Sequence, residues 1–81
     1  MFKIFWDEKA FEELNKLEAV IARRIAKTVS EMANDPFAKD IKKLRGCDWY
    51  RLRVGDYRII FAIEENINIL KVGHRKHIYE N

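Results

Sequence analysis

The segment WYRLRVGDYRIIF, residues 49–61, consists of two runs of largely alternating polar and apolar side chains, separated by Gly55 and Asp56. A two-residue loop that begins with glycine is typical of a type II′ turn, whose twist suits two antiparallel strands. The segment therefore predicts a β-hairpin with strands at about residues 49–54 and 57–63.

This hairpin predicts which side chains share a face of the sheet. With Gly55 and Asp56 in the loop, Arg53 lies opposite Arg58, and cross-strand partners and alternate residues share a face. Arg51 then joins these two arginines on one face. The opposite face is apolar and is expected to be covered by helices; it carries Tyr50, Leu52, Val54, Tyr57, Ile59 and Phe61.

A third strand is predicted at about residues 67–73, with Glu65 and Asn66 as a second tight turn. This turn pairs Ile63 with Asn68. The three strands form an antiparallel sheet because short hairpins connect them.

The same register pairs Ile59 with Val72 and places Lys71 on the face that carries the three arginines. Arg75, two residues past Gly73, continues this row of basic side chains. Arginine at four of the five basic positions favours phosphate recognition, since the planar guanidinium makes bidentate contacts. The alternative is a solvated basic face that only keeps the sheet soluble. Repulsion between paired arginines does not decide the matter, because it costs roughly 1 kcal/mol or less in water.

The N-terminal half predicts one strand and two helices. A strand is expected at residues 2–6, Asp7 can cap a first helix that ends near residues 17–18, and a second helix spans residues 19–34. Residues 35–36, Asp-Pro, stop it. The apolar stripes expected to face the sheet are Phe11, Leu14 and Leu17 in the first helix and Ile21, Ile25, Val29 and Met32 in the second.

These elements predict a single α+β domain over residues 1–81, in the order β-α-α-β-β-β. An antiparallel helix pair packs on one face of the antiparallel sheet. The segment FAKDIKKLRGCD, residues 37–48, is interpreted as a polar connector.

The charge is unevenly distributed. Residues 1–38 carry six basic and seven acidic residues (6 − 7 = −1), whereas residues 39–81 carry ten and six (10 − 6 = +4). A basic half indicates an anionic partner, most commonly nucleic acid. No run approaches the roughly 18 apolar residues of a membrane span, and the N-terminus lacks signal-peptide features, so we expect a cytoplasmic protein without a membrane partner. A single cysteine, Cys47, excludes an internal disulfide and offers no metal cluster.

Three motifs occur in order after the strand and the two helices: KKLRG at residues 42–46, WYRLRVGDYRIIFAI at 49–63 and ILKVGHRKHIY at 69–79. Over essentially its whole length the chain resembles the RelE toxins of the RelE/ParE superfamily. The resemblance implies a RelE-like fold and a ribosome-dependent endoribonuclease that cuts mRNA in the A site. It also implies a co-expressed antitoxin that holds the toxin inactive, and no metal ion or cofactor.

The resemblance also assigns site residues. The catalytic positions it implies are Arg51, Arg53, Arg58, Arg75 and Tyr79. RNA contacts are expected from Lys42, Lys43, Arg45, Lys71, His74, Lys76 and His77. The best-known members have lysine at the first two catalytic positions, and arginine does not deprotonate in proteins, so a proton-accepting role there does not carry over.

The chemistry expected is attack of the substrate's own 2′-OH on the phosphodiester, which leaves a 2′,3′-cyclic phosphate and a 5′-OH. Arg58 with Arg51 or Arg53 would hold the phosphate, and Arg75 would stabilise the leaving oxygen. Tyr79 is the expected base, since neighbouring cations favour its phenolate.

His74 or His77 is an alternative acid or base, because imidazole serves both roles near neutral pH. Two non-nuclease functions also remain: a ParE-like toxin that inhibits DNA gyrase, and a non-catalytic RNA-binding module.

Overall fold

The computed structural model describes residues 2–37 and 40–78. The predicted α+β class is confirmed, and the elements are β1 (Ile4–Trp6), α1 (Glu8–Asn15), α2 (Ala19–Glu31), β2 (Ile41–Lys43), β3 (Trp49–Val54), β4 (Tyr57–Ile63) and β5 (Ile67–His74). In the described part of the chain, neither helix is long and apolar enough to cross a membrane.

The sheet has the strand order β1-β5-β4-β3-β2 and is mixed, because β1 runs parallel to β5. The prediction of an antiparallel sheet is therefore wrong for this one pair. β1 reaches its neighbour through the rest of the chain and not through a hairpin, so no local turn signal revealed its direction. The predicted polar connector contributes the edge strand β2, whose two lysines are typical of exposed sheet edges.

The core lies between the helices and one face of the sheet. Phe11 was predicted to be buried, but 52% of it is exposed. Ala10 and Leu14 are four residues apart and lie on the buried side of α1. Phe11 directly follows Ala10, so it lies on a neighbouring side of the helix. The buried cluster comprises Ala10, Leu14, Ile25, Val29, Met32, Leu52, Val54, Ile59, Phe61, Ile67, Ile69 and Val72.

Both helices are shorter than predicted, since α1 ends at Asn15 and α2 at Glu31. Asp7 occupies the N-cap position of α1 without a side-chain capping bond. Its backbone connects two elements, because its N–H donates to the Ile69 carbonyl (2.9 Å) and its carbonyl accepts from the N–H of Phe11 (2.9 Å).

The β3–β4 hairpin has the predicted register, in which Arg53 lies opposite Arg58 and Val54 opposite Tyr57. Gly55 has φ +58°, and no non-glycine residue in the described chain has a positive φ. The loop is therefore the predicted type II′ turn, since a type I′ turn would also need a positive φ at Asp56.

The β4–β5 hairpin departs from the predicted register near its turn. Ile63 lies opposite Ile67 and not opposite Asn68, so the loop has three residues. A β-bulge at Leu70 leaves that residue without a partner and restores the predicted register further along, where Ile59 pairs with Val72.

The helix α1 also provides a hydrogen-bond acceptor for β5. Beyond Ile69, β5 has no strand beside it on the β1 side, because β1 ends at Trp6. There the Glu13 carboxylate accepts a hydrogen bond from the Val72 N–H (2.9 Å). A single side chain thus ties α1 to the strand that leads into the C-terminal turn.

Candidate nucleic-acid interface

The sheet face opposite the helices, here called the open face, changes character from one end to the other. Cross-strand pairing arranges its side chains in three rows. The first row holds Asp40, Arg53, Arg58 and Gly73; the second holds Lys42, Arg51, Ile60 and Lys71; the third holds Leu44, Trp49, Ala62, Asn68 and Phe5. The open face therefore runs from a charged end to an apolar end.

At the charged end lies an open cleft of about 590 Å³, here called the arginine cleft. Its lining includes four arginines and two aspartates, a net charge of 4 − 2 = +2. The lining residues are Arg24, Thr28, Asp40, Arg53, Val54, Gly55, Asp56, Arg58 and Arg75. Helix α2, the β3–β4 turn and the turn after β5 thus meet at one basic site.

Arg53 and Arg58 are each held by a partner. Nη2 of Arg53 donates to Oδ1 of Asp40 (3.1 Å). Nη1 of Arg58 donates to the backbone carbonyls of Gly55 (2.8 Å) and Tyr57 (3.0 Å). Because these bonds use one nitrogen of each guanidinium among the described residues, donors remain for an incoming anion.

Arg75 reaches the cleft from the turn after β5. Its N–H donates to the Asp56 carbonyl (2.7 Å), and its Nε lies 3.7 Å from Oδ1 of Asp56. The side chains of Arg53 and Arg75 remain 55% and 57% exposed. Exposed ion pairs contribute at most about 1 kcal/mol, so a phosphate that enters the cleft can displace either carboxylate.

Arg51 and Lys71 do not line the arginine cleft. They lie in the second row, about 7 Å along the strands. Nε of Arg51 is buried and has no hydrogen-bond partner among residues 2–37 and 40–78. Nζ of Lys71 donates to the Ile78 carbonyl (3.2 Å). The five basic side chains predicted to form one row are therefore divided: Arg53 and Arg58 lie in the first row, Arg51 and Lys71 lie in the second, and Arg75 lies in the turn after β5.

A compact turn follows β5. The N–H groups of His77 and Ile78 donate to the His74 carbonyl (2.9 and 3.0 Å). Ile78 is buried, and its Cδ1 would lie only 3.1 Å from a Cβ placed on Gly73. Glycine at position 73 thus lets the turn close over the open face. Tyr79, the predicted base, lies outside the described residues, and its role stays a prediction.

The two predicted histidines do not line the cleft. Nδ1 of His74 accepts a hydrogen bond from the Lys76 N–H (3.1 Å), and its ring stands edge-on to Tyr57 at 5.5 Å. The ring of His77 lies 6.3 Å from that of His74. An acid or base role for either histidine stays a prediction.

The other predicted RNA-binding residues are distributed around the open face. Lys42 lies in the second row, and Lys43 is exposed on the edge strand, 3.9 Å from Asp48. Arg45 lines an apolar hollow of about 340 Å³ beside Trp49. Lys76 is exposed in the turn after β5. None of these residues lines the arginine cleft.

Sequence reasoning missed the contribution of α2. Arg24 lines the cleft, and Thr28, one turn further along, donates from Oγ1 to the Arg24 carbonyl (2.9 Å). The spacing of four places both residues at the border of the buried stripe. That border position was the only signal, since nothing in the sequence shows that the β3–β4 turn approaches this part of α2.

Comparison with known proteins supports the interpretation of the motifs. The family model for the ParE toxin of the type II toxin-antitoxin system parDE matches residues 4–79. Toxin RelE3 of Methanocaldococcus jannaschii is 32% identical over 84 residues, which cover 96% of this chain and 96% of that protein.

Solved structures agree with the sequence matches. The RelB-RelE antitoxin-toxin complex from Methanococcus jannaschii is similar with a TM-score of 0.78 at 31% identity, covering 94% of this chain and 95% of that one. The archaeal RelE-RelB complex from Pyrococcus horikoshii gives a TM-score of 0.82 at 27% identity, with coverages of 94% and 97%. The chain therefore belongs to the RelE/ParE superfamily of type II toxin-antitoxin toxins, and it is a RelE-family toxin.

Proposed function

We propose that this toxin is a ribosome-dependent endoribonuclease that cleaves mRNA in the A site and acts in the cytoplasm. The observation that carries the proposal is the meeting of Arg53, Arg58 and Arg75 in one exposed cleft with a net charge of +2. A cleft of this charge suits an RNA backbone, and arginine suits the phosphate group. The similarity to RelE toxins supports the same reaction class.

In the proposed reaction the substrate's 2′-oxygen attacks the adjacent phosphorus, and the bond from phosphorus to the 5′-oxygen breaks. Arg53 and Arg58 hold the phosphate and stabilise the charge that develops on its oxygens. Arg53 takes this role rather than Arg51, because Arg53 lines the cleft. Arg75 stabilises the 5′-oxygen, which then takes a proton from water.

The proton of the 2′-OH goes to Tyr79, with His74 or His77 as the alternative. The described residues that line the cleft include no histidine, and both aspartates there lie beside arginines. The ribosome is proposed to supply the orientation of the 2′-OH, a contribution that can reach several kcal/mol.

The proposed regulatory partner is a cognate antitoxin. The two archaeal structures described above are complexes of RelE with RelB. A short reading frame that overlaps or abuts the gene for this chain is the expected source of the antitoxin. Co-purification of the two products would establish the pair.

The alternative function is inhibition of DNA gyrase. It is favoured by one observation, namely that the matching family model is that of ParE toxins. A non-catalytic RNA-binding module is a further possibility with the same basic cleft. Both alternatives predict that mRNA stays intact on translating ribosomes.

Primer extension on mRNA from a translating extract tests the proposal. The wild-type toxin is expected to produce cuts at fixed codon positions. Arg58→Ala and Arg75→Ala should each reduce cutting by about 10²- to 10³-fold, the usual loss when one donor to a developing oxyanion is removed. Arg23→Ala is the matched control, since it removes an exposed arginine outside the cleft and should cut like wild type.

A gyrase supercoiling assay on the same preparations separates the alternatives. Inhibited supercoiling with intact mRNA would replace the nuclease proposal with the ParE-like function. Intact mRNA, unimpaired gyrase and salt-sensitive RNA binding would instead indicate the non-catalytic module.

A further inference from the structure

Arg24 brings a basic group to the arginine cleft from the helix layer. Its Nη1 lies 3.3 Å from the position that a Cβ on Gly55 would occupy, so its guanidinium reaches the β3–β4 turn. Arg53 and Arg58 come to the same cleft from the sheet. The guanidinium of Arg24 is therefore presented from a different layer of the fold.

Arg24 differs from two other cleft arginines in its partners. Arg53 lies beside Asp40 and Arg75 beside Asp56. Within residues 2–37 and 40–78, Arg24 has no acidic partner. Its side chain is exposed, so an anion that approaches Arg24 displaces no carboxylate of residues 2–37 and 40–78.

The cleft has room and charge for more than one phosphate. Its volume of about 590 Å³ falls within the range of roughly 300–1,000 Å³ that is usual for ligand pockets. Its net charge of +2 matches two phosphodiester groups, each with one negative charge.

We propose that Arg24 binds the RNA phosphate next to the one held by Arg53 and Arg58, so that the cleft takes two consecutive phosphates. The identity of the ligand as RNA rests on the proposed function. The assignment of Arg24 rests on its place in the cleft and on its lack of an acidic partner in the described part of the chain. Arg24 is a substrate-binding residue in this scheme and takes no part in bond breaking.

Salt-dependent RNA binding provides the test. The probe is a labelled oligoribonucleotide that carries a 2′-deoxy group at the cleavage position, so that it binds without being cut. A protein loses about 0.7 of its log-log salt slope for each single-strand phosphate contact removed. Arg24→Ala is expected to lose about this much and to bind several-fold more weakly. Arg24→Lys should retain the slope, because the charge remains.

A second arm counts phosphates directly. Competition by a trinucleotide with two internal phosphates is compared with competition by a dinucleotide with one. The wild-type protein should prefer the trinucleotide, and Arg24→Ala should lose most of that preference. Arg23→Ala, the neighbouring arginine outside the cleft, should keep it. Thermal melting of all variants excludes an effect through unfolding.

The outcomes separate this inference from the proposed function. If Arg24→Ala and Arg23→Ala have equal slopes and equal trinucleotide preference, Arg24 does not bind a second phosphate, whether or not the wild type cuts mRNA. If the wild type cuts no mRNA yet Arg24→Ala loses slope and preference, the nuclease proposal fails and the two-phosphate site stands.

Discussion

Arg53 and Arg58 lie directly opposite each other on adjacent strands, an arrangement that is unfavourable for like charges. The structure offsets the repulsion by giving each guanidinium a different partner. Arg53 turns to the Asp40 carboxylate, and Arg58 turns to two carbonyls at the β3–β4 turn. The two backbone carbonyls thus hold Arg58 in place before any anion binds, which lowers the cost of ordering it later, whereas Arg53 has to leave Asp40 to bind an anion.

Asp40→Asn should strengthen RNA binding. The substitution removes a negative charge from the arginine cleft and frees Arg53 from its ion pair. We expect a gain of no more than about fivefold, since an exposed ion pair contributes at most about 1 kcal/mol. Fluorescence anisotropy with the non-cleavable oligoribonucleotide measures the change.

Glu12→Gln is the matched control, because it removes the same charge from an exposed position on α1 that does not line the cleft. Equal gains in the two variants would show that only the net charge of the protein matters.

Gly55→Ala should impair both folding and RNA binding. The backbone of an alanine at φ +58° is strained by about 1–2 kcal/mol. The added Cβ would also lie 3.3 Å from Nη1 of Arg24. Gly46→Ala carries the same kind of strain at φ +81° with nothing within 4 Å of the added Cβ. Denaturant unfolding should show losses of stability in both variants.

Only Gly55→Ala should also weaken RNA binding, because only there is Arg24 pushed aside. Equal affinity of the two alanine variants for the oligoribonucleotide would contradict this expectation.

Among the elements, the two hairpins differ in how far the sequence could predict them. The register and the turn type of the β3–β4 hairpin were predicted correctly, because glycine at the first loop position is a local sequence signal for a type II′ turn. The predicted register of the β4–β5 hairpin was wrong by one residue near its loop. The bulge residue Leu70 is as apolar as its neighbours, so no local pattern distinguishes it from a paired residue.

The turn after β5 depends on close packing between Gly73 and Ile78. Gly73→Ala would place Cβ 3.1 Å from Cδ1 of Ile78 and should cost about 1–3 kcal/mol through overpacking. Arg75 lies within this turn, so cleavage of mRNA should fall as well. Equilibrium unfolding and primer extension measure the two effects.

Ile78→Val removes the Cδ1 that the new methyl group would strike. The double variant Gly73→Ala/Ile78→Val should therefore recover part of the loss, with a coupling free energy of about 0.5 kcal/mol or more. Strictly additive losses would show that the contact does not determine the position of the turn.

At the scale of the whole molecule, the cleft is assembled from elements that are distant in sequence. The arginines on β3 and β4 could be placed from local pairing, and their shared face was predicted correctly. Arg24 could not be placed in the cleft from local sequence, because its position depends on how α2 crosses the sheet. The parallel direction of β1 was missed for the same reason, since it too arises from long-range packing.

Binding of RNA by the whole protein should depend strongly on salt. If the basic face contacts three or four phosphates, the slope of log affinity against log salt should be about −2 to −3, at roughly −0.7 for each phosphate. Titrations at several potassium chloride concentrations measure it. A slope near zero would show that the basic face is a solvated surface that does not bind the RNA backbone.

The strand order has a consequence for the time at which the toxin becomes competent during its own synthesis. Among the described elements, β5 is translated after all the others, yet it lies inside the sheet, between β1 and β4. A nascent chain that lacks β5 leaves β1 unpaired and cannot present Arg75. The arginine cleft is therefore complete only after β5 has emerged, so a nascent chain that lacks β5 does not yet have the proposed RNA-binding site.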